Sequence, residues 1–326
     1  MNISVIIPMY GVENYIERCA RSLFCQTLIN DVEFLFIDDA SKDKSCELLE
    51  SVIDEYSDQN LNVKIIRHEK NQGLPSARNT GLKHAKGEYV MHVDGDDFLE
   101  KDALELLYKA VQDNDADVAW CDYYITFEHK KRVIAQPCFE TSESAVRSML
   151  RGTMKYNVWN KLCRRSLYID NSITFPDGKS MGEDLTMIMV FLHANSCVYV
   201  NKPLYNYVQN PNQMTAIYNE EKLESLRYNC NRISQYIDLH FSHIDYCSEY
   251  SALKQLMKWP FLLDGKYSSY QRWHMWFPES NAYIWQTKGV NTRIKFIEWS
   301  AAKRLLPIVW LHYILVIKLY YGIVYK

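Results

Sequence analysis

Three carboxylates, Asp94, Asp96 and Asp97, stand within four residues at the end of the run Glu88-Tyr-Val-Met-His-Val. Tyr89, Val90, Met91 and Val93 favour a buried strand. A strand that runs into such a cluster needs a cation, or protons, to offset the repulsion. Oxygen-only ligands suit Mg²⁺ or Mn²⁺, typically shared with the phosphates of a bound nucleotide. The chemistry implied is metal-dependent and directed at a phosphate ester or a nucleotide sugar.

The elements that must position this cluster can be read on either side of it. Ile3 to Ile7 and Glu33 to Ile37 are short apolar runs, and Val63 to Ile66 is a third. Runs of this kind suit buried parallel strands. Between them, Ile16, Cys19 or Ala20, Leu23 and Leu28, then Cys46, Leu49, Val52 and Ile53, recur near helical spacing. Ser76 can start a helix that carries Ala77 to Lys86. Strands alternating with helices imply βαβ units and a mostly parallel sheet. Ligands of such sheets bind beyond the carboxyl ends of the strands. Pro8 to Tyr10, Asp38-Asp39 and Asp94 to Asp97 all occupy that edge. After residue 100 the pattern gives a helix over Asp102 to Asn114, a strand over Asp117 to Tyr124 and a polar hairpin through Arg132. From about 219 it turns helical, with Leu223, Leu226, Cys230, Ile233 and Ile237 on one stripe.

At 326 residues the chain allows one large α/β domain and a smaller helical extension. We expect a catalytic domain over 1–215, its nucleotide half about 1–100 and its acceptor half about 101–215. A helical region over 216–326 follows. A net charge of −3 carries no domain-wide basic excess, so nucleic acid is not an expected partner. Nine cysteines without a C-x-x-C pair read as small buried hydrophobes in a reducing compartment rather than a disulfide framework. The chain opens on a strand without the pattern of a secretory leader, so a cytoplasmic location is expected.

Residues 288–326 contain seven Lys or Arg and one acid, Glu298. Pro307 then opens an apolar run, Ile308 to Tyr325, broken by His312, Lys318 and Gly322. A helix apolar on all sides is buried in protein or lipid. At 18 residues this run is marginal for spanning a bilayer, which needs about 20. Trp299, Trp310, Tyr313, Tyr320, Tyr321 and Tyr325 suit the headgroup level, and the basic residues suit anionic lipid. The expectation is peripheral attachment to the inner face of the cell membrane. A helix used for homo-dimerisation is the alternative.

The ordered motifs resemble those of the bacterial family 2 inverting glycosyltransferases. They are Ser4-Val-Ile-Ile-Pro8-Met-Tyr10 with Glu13, Phe36-Ile-Asp38-Asp39-Ala-Ser41, Gly73-Leu-Pro-Ser-Ala77-Arg78-Asn79, Asp94-Gly-Asp96-Asp97, Trp159-Asn-Lys161 and Gly182-Glu183-Asp184. The resemblance covers Ile3 to about Asn210. It implies a GT-A (Rossmann-like) α/β fold, a mostly parallel sheet flanked by helices, with the helical extension after it. It also implies a UDP-sugar donor, a Mn²⁺ or Mg²⁺ ion and an acceptor hydroxyl.

Residue by residue, the resemblance places Pro8, Tyr10, Glu13 and Asp39 at the nucleotide. Tyr10 would stack on the base and Asp39 would accept from a base N–H. Asp96 would meet the ribose and Asp97 the ion, with Asp94 supporting either. Arg78 would meet phosphate or tie down the acid cluster. Asp184 would be the base that takes the acceptor proton, with Glu183 orienting it or the acceptor. Trp159, Asn160 and Lys161 would line the acceptor side. Plainer roles stand beside these: Tyr10 as a core cap, Asp38 or Asp39 as a turn cap, Glu183 and Asp184 as a helix-start pair, and Trp159 as packing. Family members build surface polysaccharide such as capsule or O-antigen on lipid carriers, so a lipid-linked or oligosaccharide acceptor is expected. A soluble or protein acceptor, or a non-catalytic membrane-surface scaffold, are the alternatives. A dehalogenase-type phosphatase would need its nucleophilic Asp after the first strand, where Pro8-Met9-Tyr10 stands. A nucleotidyltransferase would need a Gly-rich basic loop there, and none is present.

Overall fold

A computed structural model describes residues 1–179, 181–209 and 219–321, with the backbone alone at Tyr320 and Tyr321. The chain divides into two compact units, Met1–Ala145 with Tyr156–Ser225, and Val146–Lys155 with Leu226–Lys326. The boundary expected at 215 falls outside the described residues, as do Gly322, Tyr325 and Lys326 of the expected tail helix.

The first unit is built on one sheet. Strands β1 (Ile3–Met9), β2 (Val32–Asp38), β3 (Asn62–Arg67) and β4 (Tyr89–His92) run parallel in the order β3-β2-β1-β4. The sheet continues through β8 (Lys161–Arg164), β6 (Val118–Thr126), β9 (Cys197–Val208) and β5 (Phe98–Leu99), with β7 (Lys131–Ile134) on β6. This second half is mixed: β8 is antiparallel to both β4 and β6, and β6 runs parallel to β9. Every residue of β1 and β2 is buried, as the uninterrupted apolar runs require of strands covered on both faces.

Helices α1 (Ile16–Phe24), α2 (Ser45–Glu55), α3 (Leu74–His84) and α4 (Ala103–Asp113) alternate with the early strands. The first is shorter than the periodicity suggests. Glu13 is drawn out of it: its N–H donates to Asp43 and its carboxylate accepts from the Lys44 N–H. Met9 of β1 lies opposite Asp38 of β2, so both strands end level. The Asp39 N–H then bonds the Met9 carbonyl and the His68 N–H the Asp38 carbonyl. This ladder brings the ends of three strands together.

After α5 (Ser142–Leu150), α6 (Ser166–Asp170) and α7 (Thr186–His193), α8 (Glu220–His240) leads into the second unit. That unit is helical, with α9 (Cys247–Lys258), α10 (Tyr267–Met275), α11 (Thr292–Ala302) and α12 (Leu306–His312). Cys230, Ile233 and Ile237 are buried, as the stripe predicts. The apolar run of the tail is not one long α-helix. It passes from α12 into a π-helical stretch, Tyr313–Tyr321. Among the described residues no helix is long and apolar enough to cross a membrane.

Candidate active site

Arg78 lies in α3, 1% exposed, and gathers three carboxylates from two distant segments. One terminal nitrogen donates to Asp94 at 3.0 Å. The other reaches Asp184 at 2.9 Å and Glu183 at 3.4 Å. Burial alone would lower the Arg78 pKa, but Asp94, Asp184 and Glu183 hold it above its ordinary value. The same geometry acts on its partners. Burial pushes the Asp184 carboxyl above the usual carboxylate range, with Arg78 opposing and Asp94 adding to the rise. Glu183 is also raised, by burial and then by the adjacent Asp184 charge, against the pull of the guanidinium. Glu183 and Asp184 start a 3₁₀ turn that opens α7. The loop before them is tied to α3 by Asn79, whose amide pairs with both the N–H and the C=O of Phe175 at 2.8 Å.

The acid cluster is split by its surroundings. Asp97, expected to carry the ion, faces inward, 1% exposed. Its oxygens accept from the Tyr205 hydroxyl and the Val208 N–H, both at 2.7 Å. Burial, followed by Asp96 and Asp94, pushes its pKa well up. In this arrangement Asp97 braces the loop through Tyr205 and Val208. Asp94 and Asp96 are half-buried. The Tyr205 hydroxyl also accepts from the Asp94 N–H at 3.1 Å, which fixes the loop between the two.

At the neighbouring strand ends, Tyr10 is 50% exposed, open for stacking, while Pro8 is buried inside β1 opposite Ile37. Asp39 Oδ1 accepts from the Gln72 N–H and Oδ2 from the Gly73 N–H, both at 2.8 Å. His68 Nδ1 lies 2.7 Å from Asp39 Oδ1. Since a carboxylate only accepts, this nitrogen carries the proton, and Nε2 faces the Thr80 hydroxyl at 2.9 Å. Asp39 therefore braces the turn and keeps one acceptor direction on Oδ2. Asp38 takes the capping part, accepting from the Ser41 N–H. Glu13 braces the Lys44 turn as described above.

The Trp159-Asn160-Lys161 segment does not line an open acceptor face. Trp159 stacks on Tyr205 with ring centroids 4.3 Å apart, and on Tyr207 at 5.4 Å. Asn160 is fully buried and donates to the Cys121 carbonyl. Lys161, 1% exposed, donates to the Asn157 carbonyl and to Asn160 Oδ1, and burial lowers its pKa to about 8. These residues join β8 to β6 and buttress Tyr205.

Tyr205, His68 and Asn79 are the functional residues that the sequence reading missed. Nothing in Leu204-Tyr-Asn-Tyr-Val208 marks the first tyrosine as the partner of an aspartate 108 positions earlier. Among the described residues no group of three or more His, Cys, Asp or Glu side chains is arranged as a metal cage. The half-buried acids of the cluster, Asp94 and Asp96, offer oxygen ligands alone. One or two carboxylates fit an ion that completes its shell with ligand phosphates.

The sequence pattern of Glycosyl transferase family 2 matches residues 4–185, a span that contains Arg78, the acid cluster and Asp184. The chain belongs to this family. Two relatives in it are the uncharacterized glycosyltransferase EpsJ of Bacillus subtilis (strain 168), 32% identical over 224 residues, and the cholesterol galactosyltransferase of Borreliella burgdorferi, 31% identical over 229. Each alignment takes in 66% of this chain, and 63% and 62% of the relatives, so the chain matches less than two thirds of their length. Among solved structures, residues 1–349 of Staphylococcus aureus TarS in complex with UDP-GlcNAc superpose with a TM-score of 0.72 at 22% identity. That superposition covers 96% of this chain and 91% of TarS. The likeness is one of fold, and it places this family 2 chain in the GT-A class.

Proposed function

We propose that this chain is a glycosyltransferase (EC 2.4) that moves a hexosyl or N-acetylhexosaminyl group from a UDP-sugar to an acceptor hydroxyl with inversion. The observation that carries the reading is the bridge formed by Arg78. It holds Asp94, from the acid cluster that follows the nucleotide-side strands, and Glu183-Asp184, from the start of α7, on a single guanidinium. The donor half is supported by the exposed Tyr10 and by the preassembled Asp39 turn, and by the UDP-GlcNAc complex of the fold neighbour TarS.

Asp184 takes the proton of the acceptor hydroxyl as that oxygen attacks the anomeric carbon and the bond to the diphosphate breaks. Its raised pKa brings a carboxylate closer to the value useful for such a base. Arg78 holds Asp184 Oδ1 and so fixes the carboxylate's orientation. Glu183 shares that guanidinium and sets its position. Asp94 and Asp96 would hold a Mn²⁺ or Mg²⁺ ion, which when bound supplies charge neutralisation for the departing diphosphate. Asp97 and Tyr205 keep that loop in place.

For the acceptor we favour a lipid-linked glycan of surface polysaccharide assembly, reached by a protein resting on the inner face of the membrane. The basic, aromatic tail supports this, and so does the presence of a cholesterol galactosyltransferase among the relatives. The test is a panel of nucleotide sugars, reading UDP release with Mn²⁺ or Mg²⁺ and with EDTA. We expect metal-dependent release from one UDP-sugar, abolished in Asp184→Asn. Silence across the panel together with no UDP binding would leave the non-catalytic scaffold as the better reading.

A further inference from the structure

The second unit contains a cavity of about 360 Å³ that the proposed transfer does not use. Phe261, Leu262, Tyr270, Leu306, Val309 and Trp310 are among the residues that line it. Gly265, at φ +69°, forms part of the wall, and a Cβ there would stand 2.4 Å from the Tyr313 ring, so glycine lets the chain pass close to that ring. The lining is apolar and aromatic, and the volume lies in the range of small-molecule sites.

Its surroundings say what kind of molecule enters. Trp310 and Tyr267 line the cavity and are 59% and 64% exposed. Leu311 at the end of α12, and Leu315 and Leu319 in the π-helical stretch that follows it, are each about half exposed, apolar side chains left to solvent. Lys266 lines the cavity and is exposed, as are Lys288, Arg293, Lys303, Arg304 and Lys318 of the same unit, while the one acid of residues 288–326, Glu298, is buried. An apolar recess with exposed rings and Lys266 at its wall, in a unit whose end is basic, matches a molecule with a hydrocarbon body and an anionic head.

We propose that this cavity takes up a hydrocarbon chain of an anionic phospholipid and so fastens the second unit to the membrane. The inference rests on the membrane attachment proposed above and adds a defined site to it. Lipid entering the apolar cavity gains burial for each methylene admitted, and Lys266 at its wall meets the headgroup.

The test uses the full chain with vesicles of phosphatidylcholine and phosphatidylglycerol, the latter brominated on one acyl chain to quench tryptophan. Trp310→Phe isolates the signal of the ring at the cavity. Val309→Phe, or Leu306→Phe at a half-buried lining position, fills the cavity, with the thermal midpoint and UDP binding as controls on folding. We expect strong quenching of Trp310. Either filling variant should raise the lipid concentration for half-quenching roughly tenfold, the effect of keeping about two methylenes out. Undiminished quenching in both folded filling variants would overturn the proposal, because the ring would then only rest on the surface. Co-sedimentation without quenching would overturn the cavity site and leave surface attachment standing. Loss of co-sedimentation altogether would overturn both.

Discussion

Arg78 is a buried cation among three carboxylates, and its removal leaves those charges without compensation. Arg78→Gln should cost about 3–5 kcal/mol of stability near neutral pH, read by urea unfolding. The cost should shrink as the pH is lowered. Without Arg78 the folded-state pKa values of Glu183 and Asp184, already raised by burial, lie further above their unfolded values, so protonation relieves the strain. In whatever activity survives, the acid limb of kcat should move to higher pH. The base works ionised, its pKa is already raised by burial, and Arg78 is the group that opposes the rise. Asp184→Asn should lower transfer by about 10²–10⁴-fold while calorimetry finds UDP affinity unchanged. Tyr205→Phe deletes the hydroxyl that joins Asp97 to the Asp94 N–H. A stability loss of about 1–3 kcal/mol, from a buried carboxylate left short of a partner, should appear in thermal unfolding.

At the scale of elements, α3 is the part on which the site depends, since it carries Arg78, Asn79 and Thr80. It sits tightly on β1: a Cβ at Gly81 would lie 2.2 Å from Ile6 Cγ2. An exposed helical Gly→Ala change gains up to about 1 kcal/mol, but here overpacking costs about 1–3 kcal/mol and should win. Gly81→Ala should therefore lower the unfolding midpoint, and Ile6→Ala in the same chain should restore part of it. The strands that place this helix were legible because β1 and β2, buried on both faces, leave unbroken apolar runs. The motifs of Asp39, Arg78 and Asp184 were legible, and so was Arg78's tie to the acid cluster, whereas the contacts of Asp39 with His68 and the Gly73 turn were not. The burial of Trp159-Asn160-Lys161 was not legible, for a physical reason. An aromatic, an amide and a cation look like a binding surface in one dimension, and only the pairing of β8 with β6 and the rings of β9 show them enclosed. The contacts of Asp97 were out of view likewise, because Tyr205 and Val208 come from a strand far along the chain.

For the whole molecule, a net charge of −3 hides a division of sign, since residues 288–326 carry seven basic residues and one acid. Lys303→Glu with Lys318→Glu should weaken co-sedimentation with phosphatidylglycerol vesicles. The expected loss is about 1 kcal/mol or more per charge, diminishing as salt is added. UDP binding should be unaffected.

One guanidinium shared between Asp94 and Asp184 has a thermodynamic consequence. Whatever arrives at Asp94 competes for Arg78 and changes how firmly it grips Asp184, so neither half of the pocket is indifferent to the other. Coupling of this kind is reciprocal: if donor changes the affinity for acceptor by some factor, acceptor changes the affinity for donor by the same one. Occupancy on one side thus becomes a signal to the other, carried by a single side chain.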